Sequence, residues 1–146
     1  MLRILSVAAL LAVGATALAA QNLDVIKARK EILKGFGAAA KDPGAMLKGE
    51  AKFDIAKVQA ALKTFQAGAA KLPDLFPADS KTGGETEALS VIWEKKQDVV
   101  DRFKKLASES KAAEAKITDE IAFQEVWPKL LGDNCSGCHK IYRKPK

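Results

Sequence analysis

Cys135-Ser136-Gly137-Cys138-His139 stands seven residues from the end of the 146-residue chain, and His139 is its only histidine. On a helix, two cysteines three apart share a face and the histidine adjoins the second. That spacing suits covalent c-type haem, with two thioethers holding the macrocycle edge and an imidazole on the iron. The placement also constrains the fold. With so little chain after His139, the arrangement in which a haem motif opens the chain and a distant downstream methionine completes the iron site is excluded.

Three other uses of the cysteines differ in what they require. A thioredoxin-type redox pair needs a strand-to-helix setting, and nothing upstream of Cys135 reads as a parallel strand. A zinc site commonly takes four Cys and His ligands, whereas this chain has two Cys and one His. A disulfide in a haem-free helical protein is the remaining alternative.

Residues 1–20 read as a cleavable export signal: Arg3 gives a positive start, residues 4–13 are almost wholly apolar, and Ala17-Leu18-Ala19 supplies the cleavage pattern. The run is short for a membrane span, and no later segment suits one, so no stable membrane insertion is expected. Residues 21–146 then form one domain, large enough for a single core. Export places it in the oxidising periplasm, where a cysteine pair could form a disulfide; the adjoining histidine favours thioether attachment instead.

The chain carries a net charge of +6, of which Arg3 is the only charge in residues 1–20. The charges are interspersed except for Lys140, Arg143, Lys144 and Lys146. Export and scarce aromatic residues argue against nucleic acid as a partner. A basic surface instead suits weak steering towards an acidic redox protein.

Four amphipathic helices account for the apolar pattern. The first spans about residues 22–41, with Ile26, Arg29, Leu33 and Phe36 on one face. Asp42-Pro43-Gly44 reads as a break, with a short helical turn over 45–48. The second spans about 54–71, its seam formed by Ile55, Val58, Leu62, Phe65, Ala69 and Leu72. A loop holding Leu75 and Phe76 follows; two apolar residues in a loop suggest a cover. The third spans about 87–115, with Leu89, Ile92, Trp93, Val99, Val100, Phe103 and Leu106 inward and a weakly patterned far end expected to fray. Thr118 reads as the N-cap of the fourth, which carries Ile121, Phe123, Trp127, Leu130 and Leu131 towards the motif. Pro128 should kink or interrupt it near 123–127, with Gly132 a second weak point. The fold class is all-α, an antiparallel up-down four-helix bundle.

His139 fills one axial position, and the residue inventory limits the other. No second histidine exists, and Met46 is the one methionine beyond the signal. Met46 is expected to pack at the bundle end, and a lysine amine is costly to desolvate. The preferred outcome is an open, five-coordinate, high-spin iron.

The export signal, the four-helix pattern, Arg29-x-x-x-Leu33, Lys48-Gly49-Glu50, Phe53-Asp54, Leu72-Pro73, Ile92-Trp93 and the terminal motif with Arg143 together resemble cytochrome c′, the class II c-type cytochromes. The resemblance implies a left-handed bundle with one haem c in its core, often a homodimer through the first two helices. It implies that the sixth ligand of low-spin relatives, a methionine on the first helix, falls here on Leu33, which favours the five-coordinate subgroup. It further places Arg29 near a haem propionate and Arg143 near the proximal histidine. Phe36, Leu75, Phe76, Trp93 and Phe103 are candidate pocket walls.

Function then divides between one-electron transfer with redox partner proteins and binding of NO or CO at an open distal site. No acid-base or nucleophilic constellation accompanies the motif, so no enzyme is expected.

Overall fold

The computed structural model describes residues 22–145, so the expected export signal lies outside the described residues. Asn22 caps α1, Leu23–Ala39, by accepting from the Val25 amide at 3.2 Å. After Ala40 the chain re-enters a helix as α2, Lys41–Leu47. The break expected at Asp42-Pro43-Gly44 therefore falls earlier, at Ala40. Pro43 occupies the first turn of α2, where a missing amide forfeits no intrahelical bond. Asp54 caps α3, Ile55–Lys71, accepting from the amides of Ala56 at 3.0 Å and Lys57 at 3.3 Å.

The third expected helix is divided. Two 3₁₀ turns, Leu72–Leu75 and Ala78–Ser80, lead to α4, Val91–Glu94, and then to α5, Lys96–Lys116. Lys95 separates them with φ −114° and ψ 40°. Residues 87–89 are not helical because the chain end claims their backbone. Ala88 and Arg143 form an isolated antiparallel bridge, the Leu89 amide donates to the Tyr142 carbonyl at 3.0 Å, and the Lys144 amide donates to Glu87 at 2.8 Å.

The far end of α5, expected to fray, is packed: Ser110 and Ala113 are buried. Their small side chains leave no apolar pattern in the sequence but permit close approach of α3. Gln59 on α3 donates to the carbonyls of Glu114 at 3.0 Å and Ile117 at 3.1 Å.

Asp119 rather than Thr118 caps α6, Glu120–Leu131. The interruption expected at residues 123–127 does not occur. Pro128 and Gln124, the residue whose carbonyl loses its helical donor, are both exposed, on a face of the helix open to solvent. The irregularity comes after the proline, as a π-helical turn over Gly132–Ser136, and α7, Gly137–Tyr142, closes the chain. π turns inside helices concentrate at functional sites.

The long helices α1, α3, α5 and the α6–α7 segment form a four-helix bundle in which α3 packs on α1 and α5, and α5 packs on α6. Val58, Leu62, Phe65, Phe123 and Trp127 are almost fully buried in one continuous core. Each such aliphatic or Phe side chain contributes about 1.5–3 kcal/mol. Ile55 and Ile121, placed inward by spacing, are exposed; Ile121 lies on the opposite face of α6 from Phe123, Trp127 and Leu130. Among the described residues no helix is long and apolar enough to cross a membrane.

Candidate functional site

A cavity of about 1070 Å³ opens between α1, α5, α7 and the connection around residues 84–88. This is at the upper end of the ~300–1,000 Å³ usual for small-molecule and cofactor sites. Cys135, Cys138 and His139 all line it from the π turn and α7, and all three are half-buried. Both thiols are free. Burial raises their pKa values above the ordinary range, with the neighbouring Cys138 a second cause for Cys135. An activated dithiol needs the opposite shift, so the setting does not suit a redox disulfide. Among the described residues no group of three or more His, Cys, Asp and Glu side chains is placed to hold a metal ion.

The π turn is fixed against α5 by Asn134. Its amide donates to Glu109 Oε2 at 2.6 Å and to the Leu130 carbonyl at 2.9 Å. Asn134 and Cys135 line the same cavity, so this pair of bonds holds the first cysteine at the wall. The spacing of the motif gave no sign of it.

Arg29 also lines the cavity, yet it is only 1 % exposed. Its Nη1 donates to Ser80 Oγ at 2.8 Å and the Leu75 carbonyl at 3.3 Å; its Nη2 donates to the Ser80 carbonyl at 2.8 Å and Thr86 Oγ1 at 2.9 Å. The guanidinium lies 4.9 Å from the Phe76 ring centroid and 5.4 Å from that of Trp93. Every one of these partners is neutral. Burial accordingly lowers its pKa, although an arginine stays charged. A buried cation held only by neutral groups provides a place for an anionic group entering the cavity. The alternative of an arginine stem with its charge at the surface does not describe this side chain.

Leu33 and Phe36, from α1, form a wall with Phe65, Phe76 and Phe103. Leu33 is 37 % exposed, an unusual state for a leucine on an inner helix stripe, and it faces this open volume. Trp93, proposed as a wall, stands behind the lining: its ring packs 6.0 Å from Phe76 and its Nε1 donates to the Pro77 carbonyl at 2.8 Å. Leu75 is likewise removed from the wall, its side chain on the core and its carbonyl bonded to Arg29. Met46 lines a separate hollow with Phe53 and Asp54. Arg143 reaches the cavity from the end of α7, its amide bonded to the His139 carbonyl at 3.2 Å.

A further group escaped sequence reasoning. Tyr142 lines the cavity beside Cys138 and donates its hydroxyl hydrogen bond to Asp98 Oδ2 on α5. The Arg102 Nε donates to the same oxygen at 2.7 Å and its guanidinium lies 5.7 Å from the Tyr142 ring centroid. The hydrogen bonds from Arg102 first and Tyr142 second hold Asp98 below the usual carboxylate range. The available signal was two pairs four residues apart, Asp98 with Arg102 and Cys138 with Tyr142, on helices with nothing local to join them.

Comparison with known proteins finds the same bundle in a solved structure and similar sequences in several proteins. A family model described as Cytochrome C′ matches residues 24–143. The chain is 49 % identical to cytochrome c′ of Rhodopseudomonas palustris, over 99 % of this chain and 98 % of that protein. It is 34 % identical to cytochrome c-556 of Agrobacterium fabrum, over 83 % of this chain and 82 % of the relative. The solved structure of cytochrome c′ from Rhodopseudomonas palustris superposes with a TM-score of 0.82 at 51 % identity, covering 84 % of this chain and 98 % of that one.

Proposed function

This chain belongs to the cytochrome c′ family of c-type haem proteins, and we propose that it is a periplasmic one-electron carrier with an open sixth position on its iron. The observation that carries the reading is the composition of a single cavity. Two cysteines and a histidine line it together with a buried, acid-free arginine and the apolar face of α1. When bound, haem c supplies an iron that changes oxidation state by one electron.

The chain's own residues divide the remaining work. Cys135 and Cys138 would hold the haem through thioethers, and His139 would supply an imidazole to its iron. Arg29 neutralises a propionate, for which its cluster of neutral partners leaves the positive charge uncompensated. The phenylalanine wall excludes water and lowers the local dielectric, which raises the energetic weight of that charge. Arg143 lines the same cavity from the end of α7 and would lie on the histidine side of the haem group. Lys27, Lys34 and Arg143 at the cavity margin favour encounter with an acidic redox partner.

A second reading, binding of NO or CO, rests on Leu33. The α1 wall presents Leu33 and Phe36 and no histidine or methionine, and Met46 faces a different hollow. The nearby Lys30 ammonium is engaged by the carbonyls of Gly84 at 2.8 Å and Glu85 at 3.3 Å. A distal face that is apolar and donor-poor favours NO and CO over O₂ or anions.

Absorption spectra of the ferrous protein before and after CO test both readings. Broad high-spin bands that shift on adding gas are expected. Sharp low-spin bands indifferent to CO would remove the open site and leave electron transfer alone, and absence of a haem band after expression with attachment machinery would overturn the whole assignment.

A further inference from the structure

Tyr142 is the only tyrosine in the chain, and it is buried at 4 % exposure on the wall of the cavity that holds Cys138 and His139. Nothing in cofactor attachment requires a phenol there, nor a carboxylate to receive its hydrogen bond. We propose that Tyr142 and Asp98 form a one-electron, one-proton donor that delivers the second electron when the ferrous protein meets hydrogen peroxide. The inference rests on the haem reading above and adds a function that the reading does not contain.

Reducing hydrogen peroxide to two waters breaks the O–O bond and consumes two electrons and two protons, the protons coming from solvent. Oxidation of ferrous to ferric iron supplies one electron. Where the iron gives up only that one electron and no other donor acts, the O–O bond breaks homolytically and the second oxygen leaves as a hydroxyl radical. Tyr142 supplies the second electron; its phenolic proton passes along the existing hydrogen bond to Asp98 Oδ2, leaving a neutral phenoxyl radical and a neutral carboxyl group.

Each part of the cluster fits that step. Burial, with the Asp98 hydrogen bond as the next cause, raises the Tyr142 pKa, so the phenol carries its proton at neutral pH. An oxidised phenol is a far stronger acid than a carboxylic acid, so Asp98 accepts that proton even with its own pKa lowered. Arg102 over the ring disfavours a positive charge left there, so electron and proton must leave together. Lys95 adds a further positive influence on Asp98. Burial then shields the phenoxyl from coupling with other molecules.

The test mixes ferrous holoprotein with one equivalent of hydrogen peroxide and freezes it for electron paramagnetic resonance, with haem loading first verified by absorption. A tyrosyl signal in proportion to the ferric iron formed is expected in the wild type. It should vanish in Tyr142→Phe, which keeps the ring, and a spin trap should then capture severalfold more hydroxyl radical. Asp98→Asn should lower the tyrosyl yield severalfold with Tyr142 still present. No tyrosyl signal in the wild type, a tryptophan signal in its place, or equal hydroxyl trapping in wild type and Tyr142→Phe would overturn the proposal. A protein without haem would instead overturn the functional reading beneath it.

Discussion

At the scale of single residues, chemistry was easiest to read where it is local in sequence and hardest where it joins distant segments. Cys135, Cys138 and His139 announce themselves by spacing, whereas Arg29 interrupts an apolar stripe without saying what it faces. Its partners at Leu75, Ser80 and Thr86 are 46 to 57 residues away. Arg29→Gln should leave buried carbonyls short of donors, a cost of about 1–3 kcal/mol for each one left unpaired. It should also lower the haem reduction potential, because removing a nearby positive charge favours the ferric state. Redox titration checks this, and an unchanged potential would mean that the guanidinium does not act on the cofactor. Leu33→Ala, which opens the α1 wall, should speed CO binding to the ferrous protein severalfold in flash photolysis. An unchanged rate would remove Leu33 from the distal path. Asp98 gives a pH dependence of definite sign. Its folded pKa lies below the ordinary 3.8, so its contribution to stability is complete above that value and lost as pH falls through the lower folded one. Asp98→Asn should remove that part of the acid dependence of unfolding followed by circular dichroism, and a slope identical to wild type would show the pair to be idle.

At the scale of elements, the helix starts and most of the seams were legible, but the cap read at Thr118 falls to Asp119 and the interruptions were misplaced. Asn22 and Asp54 behave as their residue types demand. The prolines misled because their cost depends on surroundings: Pro43 falls in a first turn, and Pro128 leaves its orphaned carbonyl on an exposed face. The delayed start of α4 depends on pairing with a tail more than fifty residues away, which no window of sequence contains. Close helix approach is similarly hidden in small residues. At Gly68 on α3, an added Cβ would stand 2.3 Å from Phe36 Cε1 and 2.8 Å from Ile32 Cγ2 on α1. Gly68→Ala must therefore push Phe36, itself a cavity wall, out of its edge-on contact with Phe65. A loss of about 1–3 kcal/mol is expected from such overpacking, together with a shift of the haem absorption bands. Chemical denaturation and the visible spectrum measure the two effects, and a stability loss without a spectral change would place the strain elsewhere.

At the scale of the whole molecule, the bundle follows from four amphipathic stripes, but the bundle alone does not explain a hollow of about 1070 Å³. The hollow is open to solvent on one side and walled largely by apolar side chains, so what fills it bears on how firmly those walls are held. Cofactor and fold are therefore coupled: α1, α5 and α7 line the cavity and share few other contacts with one another. The α3–α5 pair also lines the cavity through Phe65 and Phe103, but it is joined away from the hollow as well, by Gln59 and Gln66 at the far end of α5. A Cys135→Ala, Cys138→Ala protein that cannot retain covalent haem should keep much of its far-ultraviolet helical signal. It should lose near-ultraviolet structure and cooperative melting, the signature of helices without fixed packing. Hydrogen exchange should show the loss first in α1 and α7 and last in α3 and α5. A variant that melts as sharply as wild type would mean that the hollow closes at little cost, and the link drawn here between cavity, cofactor and stability would fail.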